Sequence, residues 1–291
     1  MKTIFLLMGC LGWTLGVFWG SGEARGQRPV DDWTDVAREQ VDTSKLSSRA
    51  SRLLDDPAFT WNHAHTKHFT IHYERKMFAL KVARQAEFFY DSIGADLGSA
   101  SDRFTVRSHI FVFRDEKDWK HFVQNYGIQT EWAFSLVAGL EMYLQQADNT
   151  SQSAEVLGHE MTHLVFNRFY PGRLPLWLNE GTAEWYGEFS YAAFKGIKKS
   201  KRQVFRRIRE VYPVESLLLS TSYPANPTAV HAFYETSKFL VGFLQLQYPP
   251  EKFEPFLAAM AGGTPVAQAL YDHYGIESVP AFAAAFQKFI R

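Results

Sequence analysis

"GHEMTHLVFNRFYPGRLPLWLNEGTAEW", residues 158–185, carries two histidines four positions apart, with a glutamate directly after the first. Helical residues four apart lie on one face, about one turn from each other. His159 and His163 therefore present two imidazoles on the same side of a helix, where both can reach one cation. Zinc takes imidazole nitrogen at about 2.0–2.1 Å, and a catalytic zinc keeps three protein ligands and leaves one position for water. Glu160 is turned about 100° from His159, beside such an ion rather than on it. From there its carboxylate can take a proton from water activated by the metal. Leu157, Met161, Leu164 and Val165 supply apolar faces that bury the helix.

A third ligand comes from Glu180, which 16 residues separate from His163. Pro175 suits the first turn of a second helix. The connector "YPGRLP" is short enough to make the two helices antiparallel neighbours. Gly181 and Ala183 are small and let the second helix approach the first closely. Glu184 lies one turn beyond Glu180 on the same face, where it can accept the outer N–H of a ligand histidine and fix its tautomer. The competing interpretation is a buried helix whose histidines are merely hydrogen-bonded in the core.

"HEMTH" followed by "LPLWLNEGTAEWYG" resembles the gluzincin zinc metallopeptidases, and within them the bacterial peptidase MA-like proteins. The resemblance covers roughly residues 67–290 and implies a zincin-like fold. It also implies one zinc ion held by His159, His163 and Glu180, with Glu160 as catalytic base. In that family an edge strand before the metal helix pairs with an extended peptide, which nominates Ala138 and Gly139 as backbone contacts. A later Tyr or His steadies the oxyanion, which nominates Tyr234, with His231 second. The gap between His163 and Glu180 is slightly shorter than in the aminopeptidase branch, and that branch's "G-x-M-x-N" motif is absent. The resemblance thus does not extend to aminopeptidase activity.

Outward from this stretch, "KHFTIHYE" (67–74), "VRSHIFVFRD" (106–115) and "LVAGLEMYLQQ" (136–146) each predict a strand. Helical spacing is expected over 77–98, closed by Gly98, and over 116–127, closed by Gly127. After residue 150 the chain reads as helices punctuated by Pro and Gly. The outline is α+β: residues 27–60 as a linker or loosely packed lead-in helix, then an α/β layer with an edge strand over 61–148. A mainly helical half carrying the HExxH helix follows over 149–291. His63, His65, His68 and His72 read as surface or half-buried residues, since two strand residues four apart stand about 13 Å apart, too far for one ion.

Residues 1–26 have the layout of a secretory signal peptide: Lys2, an apolar run from Ile4 to about Gly20, and Gly22 and Ala24 at a cleavage site. An uncleaved anchor is the minority reading. Cys10 is the only cysteine, so the mature chain has neither a disulfide nor a thiolate ligand, and any metal must be held by His, Asp and Glu. The expected location is secreted or in the cell envelope, with no membrane span in the mature chain. Lys+Arg and Asp+Glu balance at 31 each, which gives no electrostatic reason to expect nucleic acid as partner. The basic run from Lys195 to Arg209 reads as a solvated helix face beside the active-site cleft. The function expected is hydrolysis of peptide or protein substrates; the alternative is a catalytically inactive, peptidase-like scaffold of the envelope.

Overall fold

The computed structural model describes residues 32–97, 106–128, 134–145, 150–170, 172–208 and 211–291. The signal peptide expected over 1–26 lies outside them, as do Gly98 and Arg209. Six strands, β1 (Thr34–Val36), β2 (Asn62–His65), β3 (Phe69–Tyr73), β4 (Ser108–Phe113), β5 (Ser135–Ala138) and β6 (Glu141–Gln145), form one sheet ordered β1-β2-β3-β4-β6-β5. β4 runs parallel to both β3 and β6, and the remaining pairs are antiparallel. Parallel neighbours need a crossover, and α2 (Lys76–Asp96) supplies it between β3 and β4.

Two of the three expected strands are β3 and β4. The third expectation, one strand over 136–146, is corrected: this stretch is the hairpin β5–β6. Gly139 takes φ +61°, which an L side chain resists, and a two-residue loop forms where a continuous strand was read. The 27–60 lead-in is also more ordered than a linker. It contributes β1 and a short helix, α1 (Ser48–Leu54), whose N-cap Ser47 accepts from the Ala50 amide at 3.2 Å. Ser47 in turn donates from its backbone amide and hydroxyl to the two oxygens of buried Glu141 at 2.5 and 2.7 Å, tying α1 to the sheet.

Both faces of the sheet are covered. On one, α2 and α4 (Thr150–Phe169) pack on Ile71, Ile110, Val112 and Met142. On the other, α1 and α3 (Glu116–Asn125) pack on Phe111, Phe113 and Tyr143. A strand buried on both sides need not alternate, and β3 and β4 are buried along their whole length. This corrects the reading of the histidines: His63, His68 and His72 are all buried. His68 faces Glu87, with Nδ1 and Oε2 2.5 Å apart. His72 sits between two other imidazoles, its Nδ1 2.8 Å from that of His63 and its Nε2 2.9 Å from His109 Nδ1.

Beyond α4 lie α5 (Leu176–Phe194), α6 (Val214–Leu219), α7 (Pro227–Gln247), α8 (Phe253–Ala261), α9 (Val266–Tyr274) and α10 (Val279–Ile290). One cluster of buried apolar side chains runs from Ile71 and Val112 through Leu157 and Trp185 to Phe243 and Phe286, so it crosses the 148/149 boundary without a break. The basic segment is not an α-helical face: it turns at Gly196 and continues as a 3-10 stretch over Lys201–Arg207. Within it Lys199 pairs with Glu188, which Lys238 approaches to 3.2 Å. No helix among the described residues is long and apolar enough to cross a membrane.

Candidate metal centre

From Leu157 to Phe166 α4 is buried all round because the sheet and α2 cover one side and α5 the other. The helices touch through glycines. A Cβ on Gly187 would stand 2.8 Å from the His159 backbone nitrogen, and one on Gly158 would meet the Gly187 carbonyl oxygen at 3.1 Å. This differs from the sequence expectation. Gly181 faces α7, where a Cβ would meet the Ser237 carbonyl oxygen at 2.3 Å, so it brings α7 rather than α4 close to α5.

That packing brings His159, His163 and Glu180 together, all buried. The two Nε2 atoms are 3.1 Å apart, and Glu180 Oε2 is 3.6 Å from the first and 3.8 Å from the second. The point in their plane equidistant from three atoms so spaced lies about 2.0 Å from each, close to the length of a zinc bond to nitrogen or carboxylate oxygen. Among the described residues this is the one group of three or more His, Cys, Asp or Glu residues spaced to hold an ion. Glu180 Oε2 is buried and accepts no hydrogen bond from the described residues, so a cation is the partner its chemistry calls for.

Neighbours fix which atom each ligand presents. Glu184 Oε1 lies 3.2 Å from His159 Nδ1, and Asn179 Oδ1 lies 3.2 Å from His163 Nδ1. Both imidazoles are thereby turned Nε2-inward, the arrangement in which an outer partner orients a metal ligand. Glu184 thus lies beside the outer nitrogen of His159. Asn179, present in the quoted stretch, was not singled out there. Tyr223 was missed as well: its hydroxyl donates to Glu180 Oε1 at 2.9 Å, leaving Oε2 as the free oxygen. Burial, with the Glu180 charge beside it, pushes the Tyr223 hydroxyl far above its ordinary pKa, so it remains a donor.

Glu160 is fully buried beside His159, and Ser135 Oγ donates to its Oε1 at 2.6 Å. Burial raises the Glu160 carboxyl, with Glu180 adding to the rise against the opposing His159 and Ser135. A raised carboxylate is a better proton acceptor near neutral pH. Burial alone would lower His159, yet the neighbouring Glu180 and Glu184 carboxylates lift it to about 10. His163 is held well below its usual value by burial and by the neighbouring His159. The cluster thus favours positive charge at its centre.

The remaining nominated residues fall in different places. Tyr234, on α7, is buried with its ring stacked on Tyr223 at 5.8 Å, one side chain removed from Glu180. His231 is exposed on the same helix, its Nε2 3.7 Å from Glu235. β5 is the edge strand, as expected. The amide of Gln145 donates to Phe134 O, and strand pairing repeats at alternate residues, so Ala138 directs its backbone groups toward Glu141. Gly139 lies in the turn, and its carbonyl accepts from Asn167 Nδ2 at 3.0 Å. Ser135 and Val137 are the residues whose amides and carbonyls point to the outer edge, where no described strand pairs with β5.

No protein-family model matches the chain, and no curated protein matches it in sequence. What this centre can do therefore rests on its own geometry.

Proposed function

We propose that this chain is a zinc-dependent metallopeptidase of gluzincin type with a zincin-like fold, working in the secreted or cell-envelope space. The observation that carries the reading is the triangle of His159 Nε2, His163 Nε2 and Glu180 Oε2, with the Glu160 carboxylate one residue along. Zinc bound there would supply Lewis acidity for a carbonyl and bring the pKa of its water to about 7.

The chain's own residues supply the rest. Glu160 takes a proton from the attacking water at Oε2, the oxygen that Ser135 leaves open, and passes it to the leaving amine nitrogen. Glu184 and Asn179 keep the imidazoles turned inward, and Tyr223 keeps Glu180 to one oxygen. A substrate in extended form has the outward amides and carbonyls of Ser135 and Val137 to pair with. The oxyanion needs a nearby donor, and Tyr234 is the buried hydroxyl proposed for it, ahead of exposed His231.

The test is metal analysis of the purified mature chain together with digestion of an unfolded protein, with and without a chelator. One zinc per chain and chelator-sensitive cleavage are expected. Glu160→Gln should keep the zinc and lose hydrolysis by at least about 100-fold. Zinc retention with no cleavage by the unaltered chain would instead favour the scaffold reading.

A further inference from the structure

We infer that Ser135 is a positioning residue for Glu160, and that it joins substrate pairing on the edge strand to the alignment of the base. The inference rests on the metallopeptidase reading above. Three observations carry it. First, Ser135 is buried and its hydroxyl gives the 2.6 Å hydrogen bond to Glu160 Oε1, a length typical of an O–H donor on a charged carboxylate. Second, Glu160 Oε2 has no hydrogen-bond partner among the described residues although Glu160 is fully buried, so one hydroxyl sets the rotation of the whole carboxylate. Third, Ser135 belongs to β5 and its own amide and carbonyl face the open edge.

The sequence pattern of β5 supports the assignment. Side chains alternate along a strand, so Ser135 and Val137 share the face turned toward α4. Val137 joins the apolar cluster with Met142 and Leu157, whereas position 135 on the same face is a hydroxyl set against a carboxylate. An alanine would complete that apolar face but leave Glu160 with neither oxygen held. A peptide pairing with the backbone of residue 135 would therefore bear directly on the residue that aims the base. Ser135 itself exchanges no proton with substrate.

The experiment compares Ser135→Ala, Ser135→Thr and Ser135→Cys with the unaltered chain. The expected result for alanine is a fall in kcat of about 10–100-fold, the usual cost of removing a partner from the ring of residues around a metal site. KM and zinc content should stay within about twofold, and threonine should restore most of the lost kcat. Cysteine, close in size but a weak donor, should behave like alanine, and it covers the case in which the alanine variant does not fold. A crystal structure of the metal-free alanine variant should show the Glu160 carboxylate rotated from its position in the metal-free unaltered protein. An unchanged kcat, a rise in KM alone, loss of zinc in step with kcat, or an unrotated carboxylate would each overturn the inference. Should the unaltered chain cleave nothing, the metallopeptidase reading fails on its own, and the metal-free structures still decide whether Ser135 holds Glu160.

Discussion

Lowering the pH from 7 to 4.5 should destabilise the metal-free protein through the three imidazoles that cross β2, β3 and β4. His63, His72 and His109 are linked in a row by ring nitrogens 2.8 and 2.9 Å apart. Burial pushes His109 down to about 4 from its ordinary 6.5. It does the same to His63, where Arg38 adds to the effect and Glu39 opposes it. Burial, with His109 and His63 beside it, holds His72 well below its usual value. His65 and Asp42 are the other titratable groups facing the row. In the unfolded chain all three would take up protons near pH 6.5, whereas in the folded chain His63 and His109 decline them until about 4 and His72 is held well below its usual value. The unfolded state therefore binds more protons throughout that window, and stability falls as pH falls across it. At about 1.4 kcal/mol per pKa unit, His109 alone is worth about 3 kcal/mol, and the less enclosed His63 adds less. Against a domain stability of about 5–15 kcal/mol this is a large share. The assay is urea unfolding of chelated protein at pH 7, 6, 5 and 4.5, for the unaltered chain and for His109→Gln. Glutamine retains hydrogen-bonding groups and cannot titrate, so the variant should show the shallower dependence on pH. Equal slopes for the two proteins would refute the argument, because the other titrating groups are common to both.

Two further outcomes follow from the centre itself. Tyr223→Phe removes the hydroxyl that occupies Glu180 Oε1, and zinc affinity should fall about 10–100-fold in a competition titration with a chelating dye; an unchanged affinity would free Tyr223 from that role. Gly187→Ala places a Cβ 2.8 Å from the His159 backbone nitrogen, so α4 and α5 must separate. A loss of about 1–3 kcal/mol in chemical unfolding is expected together with weaker zinc binding, and a stable variant with unaltered zinc affinity would show that the crossing tolerates the methyl.

The parts of this protein that a sequence discloses are those fixed by a short repeat along the chain. His159 and His163 converge because the helical period dictates it, and Glu180 joins them because the connector between α4 and α5 is short. Ser135 and Tyr223 obey no such period. Ser135 reaches Glu160 from 25 residues upstream on a strand, and Tyr223 reaches Glu180 from 43 residues downstream in the connection before α7. Their roles depend on how helices stack beyond the sheet, which local spacing does not encode. The readings of His63 and His72 failed for a related reason, while His65 is half-buried as expected. Alternation in "KHFTIHYE" announces one buried face, but whether the second is covered depends on α1 and α3, which are remote in sequence from β3. Gly181 shows the same limit: smallness was legible, but the helix that exploits it was not, and the crossing of α4 with α5 fell to Gly158 and Gly187. Local period thus fixes which groups can face an ion, whereas long-range packing decides the oxygen each carboxylate offers. In this centre that second decision rests on two hydroxyls, Ser135 on Glu160 and Tyr223 on Glu180.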